Sequence, residues 1–418
     1  VYLSRTVEKL ITRNAASFPV IVVYGPRQVG KSTTVLHMFG KHCQCVTLDD
    51  ADNRMLATEN PRLFLETYPW PVIIDEIQKA PALLDAIKII VDQQKFRCLN
   101  ENKKPELMYI LTGSNRFELQ QGISDSLAGC CGIVEMDSLS AAEKYHAKAH
   151  EFFPDLENLR SRERQAQVEY RSRSAVFQDI FQGGMPEIVE GGADRELYYK
   201  SYIDTYIEKD VRQLIDASKE LQFRKFISVL ALRTGQELKY DRLAADVGID
   251  ARTCKRWISI LETSGLIYLL QPYSANLSKR IIKAPKICFM DTGLCAALCK
   301  WPNAPMLEDC AMSGAFFETY VVSEIVKNLR ANGRDPNSLL FYYRDIDQKE
   351  IDLIYDVAGT IYPIEIQKGI APSKPDKNFS VLKKFNAPVG TGIVIDCCEK
   401  MRPISEEAWS FPVYLLGM

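Results

Sequence analysis

The chain has 418 residues, 46% of them hydrophobic and 25% charged, and 52 Lys and Arg against 54 Asp and Glu leave a formal net charge of −2. That length exceeds one ordinary core and predicts two to four domains. The near-neutral balance excludes a global attraction to nucleic acid, so any such contact has to come from local patches.

Residues 20–24, VIVVY, form an apolar β-branched run that predicts a buried strand. The next eight, GPRQVGKS, follow the pattern G-x-x-x-x-G-K-[ST] of an NTPase phosphate-binding loop. Its two glycines let the backbone turn tightly enough to aim several N–H groups at one anion. The expected nucleotide contacts are Gly25, Pro26, Arg27, Gln28, Val29, Gly30, Lys31, Ser32 and Thr33. Lys31 would reach the β- and γ-phosphates, and the Ser32 hydroxyl would hold Mg²⁺. An amphipathic helix is expected from Thr33, with its N-terminus toward the phosphates.

Further strands are expected at 45–48, 72–75, 108–112 and 132–136, which together read as a parallel α/β domain over 1–140. Between 49 and 66 an acidic turn leads into two helices, and 81–98 has the apolar spacing of a third. VIIDE at 72–76 ends in two carboxylates: Asp75 is placed to bind Mg²⁺, and Glu76 to orient the attacking water. YILTGSN at 109–115 ends in Ser114 and Asn115, either of which could sense the γ-phosphate, a polar turn being the alternative.

Residues 141–215 turn polar and helical, as a lid or linker would. The arginines at 160, 162, 164, 171 and 173 read either as a nucleic-acid contact or, more simply, as a solvated helix with pairs such as Arg160–Glu163 and Glu169–Arg173. FQGGMPEIV at 181–189 is expected as a turn, and 201–215 as an amphipathic helix. Residues 216–300 carry the order of a winged helix-turn-helix: three helices, a strand at 266–273 and a basic wing. Asp250 is the expected N-cap of the third helix. Arg252, Lys255 and Arg256 would face outward, with Trp257, Ile260 and Leu261 inward. Lys279, Arg280 and Lys283 would lie in the wing, with Lys286 just beyond. DNA or a protein partner would suit such a module equally well.

The stretch 301–418 reads as a second α/β unit, with a helix at 314–333 and strands at 339–344, 350–357, 360–368 and 391–397, and with a basic-apolar helix near 378–385. Asp352 and Glu365 fall on neighbouring strands and Glu318 on the preceding helix, so the three could share one divalent metal. The alternative is a set of acids on an exposed sheet face. The arrangement resembles a PD-(D/E)XK nuclease core, in which a lysine follows two residues after the second acid. Here Gln367 stands at that place and Lys368 next to it, which makes cleavage doubtful and fits a fold kept for DNA or protein binding.

Taken together, GPRQVGKST, VIIDEIQKAP, LTGSN, SLAG, GGMPE, YIEKDVR, ARTCKRWISILETSG, FMDTGL, GAFFETYVVSE, the DL at 352–353 and YPIEIQK resemble a prokaryotic family of AAA-type ATPases whose C-terminal domain, of unknown function, is restriction-endonuclease-like. The resemblance implies an ATP- and Mg²⁺-dependent AAA+ core with a winged helix and a nuclease-like tail. Homo-oligomerisation would follow by analogy. Family members commonly carry arginine after SLAG. This chain has Cys130, so the role of a trans-acting arginine would fall to another residue, Arg116 or Arg212.

The 12 cysteines are scattered or adjacent and form no pair of C-x-x-C motifs, so they are expected as reduced thiols of a cytoplasmic protein. No apolar run approaches the roughly 20 residues that span a bilayer. The segment VYLSRTVEKLITRN lacks the charged-then-apolar order of a signal peptide, and no membrane contact is expected.

Overall fold

A computed structural model describes residues 2–114, 126–206, 217–274, 284–370 and 374–418. Asn115, Arg116, Arg212, Lys279, Arg280 and Lys283 lie outside the described residues, as does most of the helix expected at 201–215. The chain divides into two compact units. The first comprises 1–138 with 263–265 and 330–333, and the second the remainder. Among the described residues no helix is long and apolar enough to cross a membrane.

The first unit is built on a five-stranded parallel sheet. Its strands are β1 (Val20–Tyr24), β2 (Gln44–Thr47), β3 (Val72–Asp75), β4 (Tyr109–Gly113) and β5 (Cys131–Glu135), in the order β2-β3-β4-β1-β5. All five residues of β1 and of β4 are buried, as continuous apolar runs in a covered parallel sheet should be. Among the described residues these strands are accompanied by α1 (Glu8–Ala15), α2 (Lys31–Phe39), α3 (Ala51–Glu59), α4 (Pro61–Thr67) and α5 (Ala82–Asn100). The α3–α4 break has a local cause. Asp50 caps α3 by accepting from Asn53 N at 2.9 Å, and Asn60 ends that helix while capping α4, with Pro61 in its first turn. Leu83, Leu84, Ile87 and Val91 of α5 point into the core shared with Val22, Ile74 and Leu111.

The second unit begins with a short helix, Ala141–Lys144, followed by α6 (Leu156–Gln165), α7 (Arg173–Gln182) and α8 (Arg195–Tyr206). The arginine-rich run is not the solvated helix anticipated for it. α6 stops at Gln165, so Glu169 is outside any helix, and Arg173 pairs with Glu308 at 2.5 Å instead. Arg162 is buried and donates to the carbonyls of His150, Leu416 and Met418. Arg171 chelates Asp179 with two bonds of 2.9 Å, and Arg160 stacks 4.6 Å over the Trp409 ring. These guanidinium groups are taken up by buried carbonyls, two carboxylates and an aromatic face, which leaves little of the run to a nucleic acid. In the expected turn at 181–189, α7 runs on to Gln182, and a short helix, Pro186–Val189, follows the glycine pair.

Three helices follow: α9 (Glu220–Ala231), α10 (Tyr240–Val247) and α11 (Ala251–Thr263). Asp250 accepts from Thr253 N at 2.8 Å and caps α11. Trp257 of α11 is 1% exposed and lies edge-on to Phe223 and Phe226 of α9, each 5.2 Å between centroids. Leu261 is fully buried, whereas Ile260 is only half-buried and Ile258 takes the inward place. Arg252, Lys255 and Arg256 are exposed.

An eight-stranded mixed sheet completes this unit. It contains β6 (Ile267–Pro272), β7 (Lys286–Phe289), β8 (Leu340–Arg344), β9 (Glu350–Val357), β10 (Thr360–Ile366), β11 (Gly392–Asp396), β12 (Arg402–Pro403) and β13 (Ala408–Pro412), in the order β12-β13-β11-β10-β9-β8-β6-β7. The antiparallel pair β6–β7 therefore continues the sheet of the C-terminal residues through a parallel β6–β8 contact. α12 (Thr292–Leu298) and the long, largely buried α13 (Ser313–Ala331) accompany the sheet.

Candidate functional site

In the first unit the site is built at the carboxyl ends of β1, β3 and β4. The loop after β1 can take its shape only with glycine at two places. A Cβ on Gly25 would stand 2.0 Å from the Met136 carbonyl oxygen, and Gly30, at φ 92°, adopts the left-handed conformation that opens α2. Lys31 begins α2 and is 6% exposed. Its Nζ donates to the carbonyls of Gly25 at 2.9 Å and Pro26 at 2.7 Å, so the ammonium lies along the loop's inner edge. Ser32 Oγ donates to Asp75 Oδ1 at 2.7 Å, across 43 residues of sequence. β4 separates β1 from β3 in the sheet, and its Thr112 hydroxyl also donates to Asp75 Oδ1.

Glu76 follows with φ 58° and ψ 45°, a left-handed conformation uncommon for a residue with a side chain. Its carboxylate is held by Gln78 Nε2 and by Ser114 Oγ at 3.2 Å. Ser114, expected to sense a phosphate, is thus joined to Glu76. Arg27 and Gln28 are less buried than Pro26 and Val29, and Thr33 is exposed. Sequence reasoning missed three supporting residues. Thr112 and Gln78 hold the two carboxylates, and Arg5 ties the loop down by donating to Val29 O and Asp137 O, both at 2.7 Å. Gln78 lies two residues past Glu76 and could have been found from that spacing; Arg5 left no signal. Cys130 is buried, and its Sγ accepts from Lys88 at 3.2 Å and Lys95 at 3.1 Å.

The hard oxygen donors Ser32 Oγ, Thr112 Oγ1 and Asp75 Oδ1 converge beside the loop. One carboxylate plus a hydroxyl, completed by phosphate oxygens, is the donor set that Mg²⁺ takes. The residues fit that ion.

In the second unit, α13, β9 and β10 bring Glu318, Asp352 and Glu365 to one place, as their spacing suggested. Asp352 Oδ2 accepts from Ile366 N at 2.9 Å, next to the Leu353–Ile364 register pair. What occupies the cluster differs from the expected shared metal. Lys286 of β7, 3% exposed, sets its Nζ 2.7 Å from Glu318, 2.6 Å from Glu350 and 4.0 Å from Asp352. The acids therefore gather around the ammonium of Lys286, which the sequence placed just beyond the basic wing. Among the described residues no group of three or more His, Cys, Asp or Glu side chains is arranged to hold a metal ion. Burial pushes Glu318 up to about 7 despite Lys286, and burial with the nearby Asp352 charge pushes Glu365 up to about 9. Burial works against the charge of Lys286, but Glu318, Asp352 and Glu350 outweigh it and hold the ammonium above its ordinary pKa. Gln367 lies along Glu365 at 3.5 Å, while Lys368 turns away to Ser313 and Glu308.

Residues 17–145 match the family model of an AAA domain. Residues 173–304 and 313–416 match two domains of unknown function, DUF8612 and DUF4143. An uncharacterised protein of Mycobacterium bovis, Mb2031c, is 27% identical over 359 residues, which cover 85% of this chain and 71% of the relative; Rv2008c of Mycobacterium tuberculosis matches to the same extent. A solved structure, the Walker-type ATPase paby2304 of Pyrococcus abyssi, aligns with 71% of this chain and 96% of its own at 14% identity and a TM-score of 0.43. The AAA match covers the loop, Asp75, Glu76 and Ser114, and supports an AAA-type ATPase domain over that stretch.

Proposed function

We propose that the chain is a Mg²⁺-dependent ATPase whose nucleotide state is coupled to a winged-helix and nuclease-like module acting on DNA. One observation carries the ATPase reading: the Ser32 hydroxyl and the Asp75 carboxylate meet at 2.7 Å beside the lysine that opens α2. The backbone N–H groups of 25–33 would receive the phosphates, with the start of α2 behind them. Lys31 would exchange its carbonyl partners for β- and γ-phosphate oxygens, Ser32 and Asp75 would hold Mg²⁺, and the bound ion would neutralise charge on the leaving phosphate. Glu76 would orient the attacking water, with Gln78 and Ser114 fixing its carboxylate. Its left-handed backbone costs of the order of 1–3 kcal/mol, the kind of strain that persists where a function needs the geometry.

The winged-helix reading is supported by α9, α10 and the capped α11 followed by the β6–β7 pair, with Arg252, Lys255 and Arg256 outward. A second reading is favoured by Lys286. With its ammonium among the acids, the nuclease-like module would bind without cleaving, and ATP would gate an interaction. Two variants separate these readings. Lys31→Ala should abolish ATP binding or turnover, and undiminished hydrolysis by it would refute the site. Glu76→Gln should still bind ATP while losing roughly 10²-fold or more in turnover. If biological function survives that loss, the gating reading holds and the enzymatic one does not.

A further inference from the structure

Within the second unit a cavity of about 610 Å³ opens between α9, α10 and the strands that carry Lys286, Arg344 and Glu350. Five cationic side chains line it against three carboxylates, Glu237, Asp246 and Glu350. Three of the cations are committed. Arg233 pairs with Asp246, Arg344 with Glu237 at 3.3 Å, and Lys286 with Glu318 and Glu350. The other two, Lys239 just before α10 and Arg242 in its first turn, have no ion pair among the described residues, and both are exposed at the cavity mouth. Burial, and after it the charge of Arg242, holds the Arg233 guanidinium below its ordinary pKa. Asp246 already meets the Arg233 charge, whereas Arg242 has no carboxylate partner among the described residues, so an anion is favoured on the Arg242 side.

The cavity also has an apolar wall. Val229 and Leu232 of the α9 end line it, and Leu232 is 47% exposed although large and hydrophobic. The volume lies within the range of small-molecule sites, and the lining is mostly charged, with Val229 and Leu232 as its apolar part, which suits a charged ligand carrying one flat or apolar portion. We propose that this cavity binds a nucleotide, free or at the end of a strand, with its phosphate on Arg242 and Lys239 and its base or sugar against Val229 and Leu232. The site is separate from the phosphate-binding loop and does not depend on the ATPase reading.

The test uses the full chain carrying Lys31→Ala, so that loop-bound nucleotide does not mask the second site. Isothermal titration calorimetry is run with AMP, with inorganic phosphate and with a short 5′-phosphorylated single strand. The parent should bind AMP or the strand, and Lys239→Glu with Arg242→Glu should raise the Kd about tenfold or more. Arg242→Gln alone, with melting temperature as a folding control, should weaken binding in the same direction, and Arg242→Lys should recover part of it. AMP that displaces the strand identifies a free nucleotide as sufficient; a strand that AMP cannot displace, but that Lys239→Glu with Arg242→Glu weakens, identifies the strand end. The proposal is overturned if no probe binds the parent, if the charge-reversed chain keeps its affinity, or if inorganic phosphate binds as tightly as AMP. ATP turnover by the same pocket variants with Lys31 intact reports on the loop separately.

Discussion

Around Lys286 one ammonium faces Glu318, Glu350 and Asp352, with Glu365 beyond them, so the negative charges outnumber the positive one in a largely buried place. The excess is relieved by protonation. Glu365, whose Oε2 is buried without a hydrogen-bond partner among the described residues, is pushed up to about 9 in the folded chain, first by burial and then by the Asp352 charge, against roughly 4.3 when unfolded. Between those values the native state keeps a proton that the unfolded chain has released. Its contribution to stability is therefore fully present below the unfolded value and is lost as pH rises through about 9. Urea melts from pH 5 to pH 9 should show stability falling with pH, and Glu365→Gln should remove a large part of that slope. Parallel curves for the two chains would contradict this account. Lys286 itself was legible only as one more basic residue near a wing. Its burial depends on strands β7 and β9 being brought together, and nothing local in the run KICF announces that.

At the level of elements, α11 has a division of labour that its sequence states in large part. Trp257 and Leu261 are buried as expected, Ile258 takes the inward place given to Ile260, and Arg252 and Lys255 fall on the outer face. If that face lies on a phosphate backbone, the logarithm of DNA affinity should fall linearly with the logarithm of salt concentration. Lys255→Gln should then reduce the slope by about one without changing sequence preference. Anisotropy titrations across a salt series measure both, and an unchanged slope would remove Lys255 from the interface. The other elements divide in a similar way between local and distant information. β1, β3, β9 and β10 were readable because each is a β-branched or alternating run, and α5 because Leu83, Leu84, Ile87 and Val91 share one face. β13 escaped notice: AWSFP is short, mixed and ends in proline, and it becomes a strand by pairing with β11. The fate of the arginine run was hidden for the same reason, since Leu416 and Met418, which accept from Arg162, and Glu308, which pairs with Arg173, lie more than a hundred residues away. Motifs held within one loop, such as 25–32, need no such partner to be recognised.

For the whole molecule, the proposal that nucleotide state is coupled to DNA contact has a thermodynamic consequence that requires no view of the moving parts. If ATP changes the affinity for DNA by some factor, DNA must change the affinity for ATP by the same factor, because both describe one coupling free energy. Typical couplings of about 1–3 kcal/mol correspond to roughly 5- to 150-fold. Glu76→Gln is the chain in which to measure this, since turnover would otherwise mix a kinetic effect into the equilibrium. DNA affinity is measured with and without saturating Mg²⁺-ATP, and ATP affinity with and without saturating DNA, at one salt concentration because phosphate contacts are salt-sensitive. Equal factors different from one are expected. A factor of one in both directions would leave an ATPase and a binding module that share a chain without communicating. If the coupling is present in Glu76→Gln and absent when Lys31→Ala is added, it originates at the loop. If it survives Lys31→Ala, nucleotide is acting elsewhere, and the cavity lined by Arg233 and Arg242 is the place to look, with the charge-reversed pocket as the deciding variant.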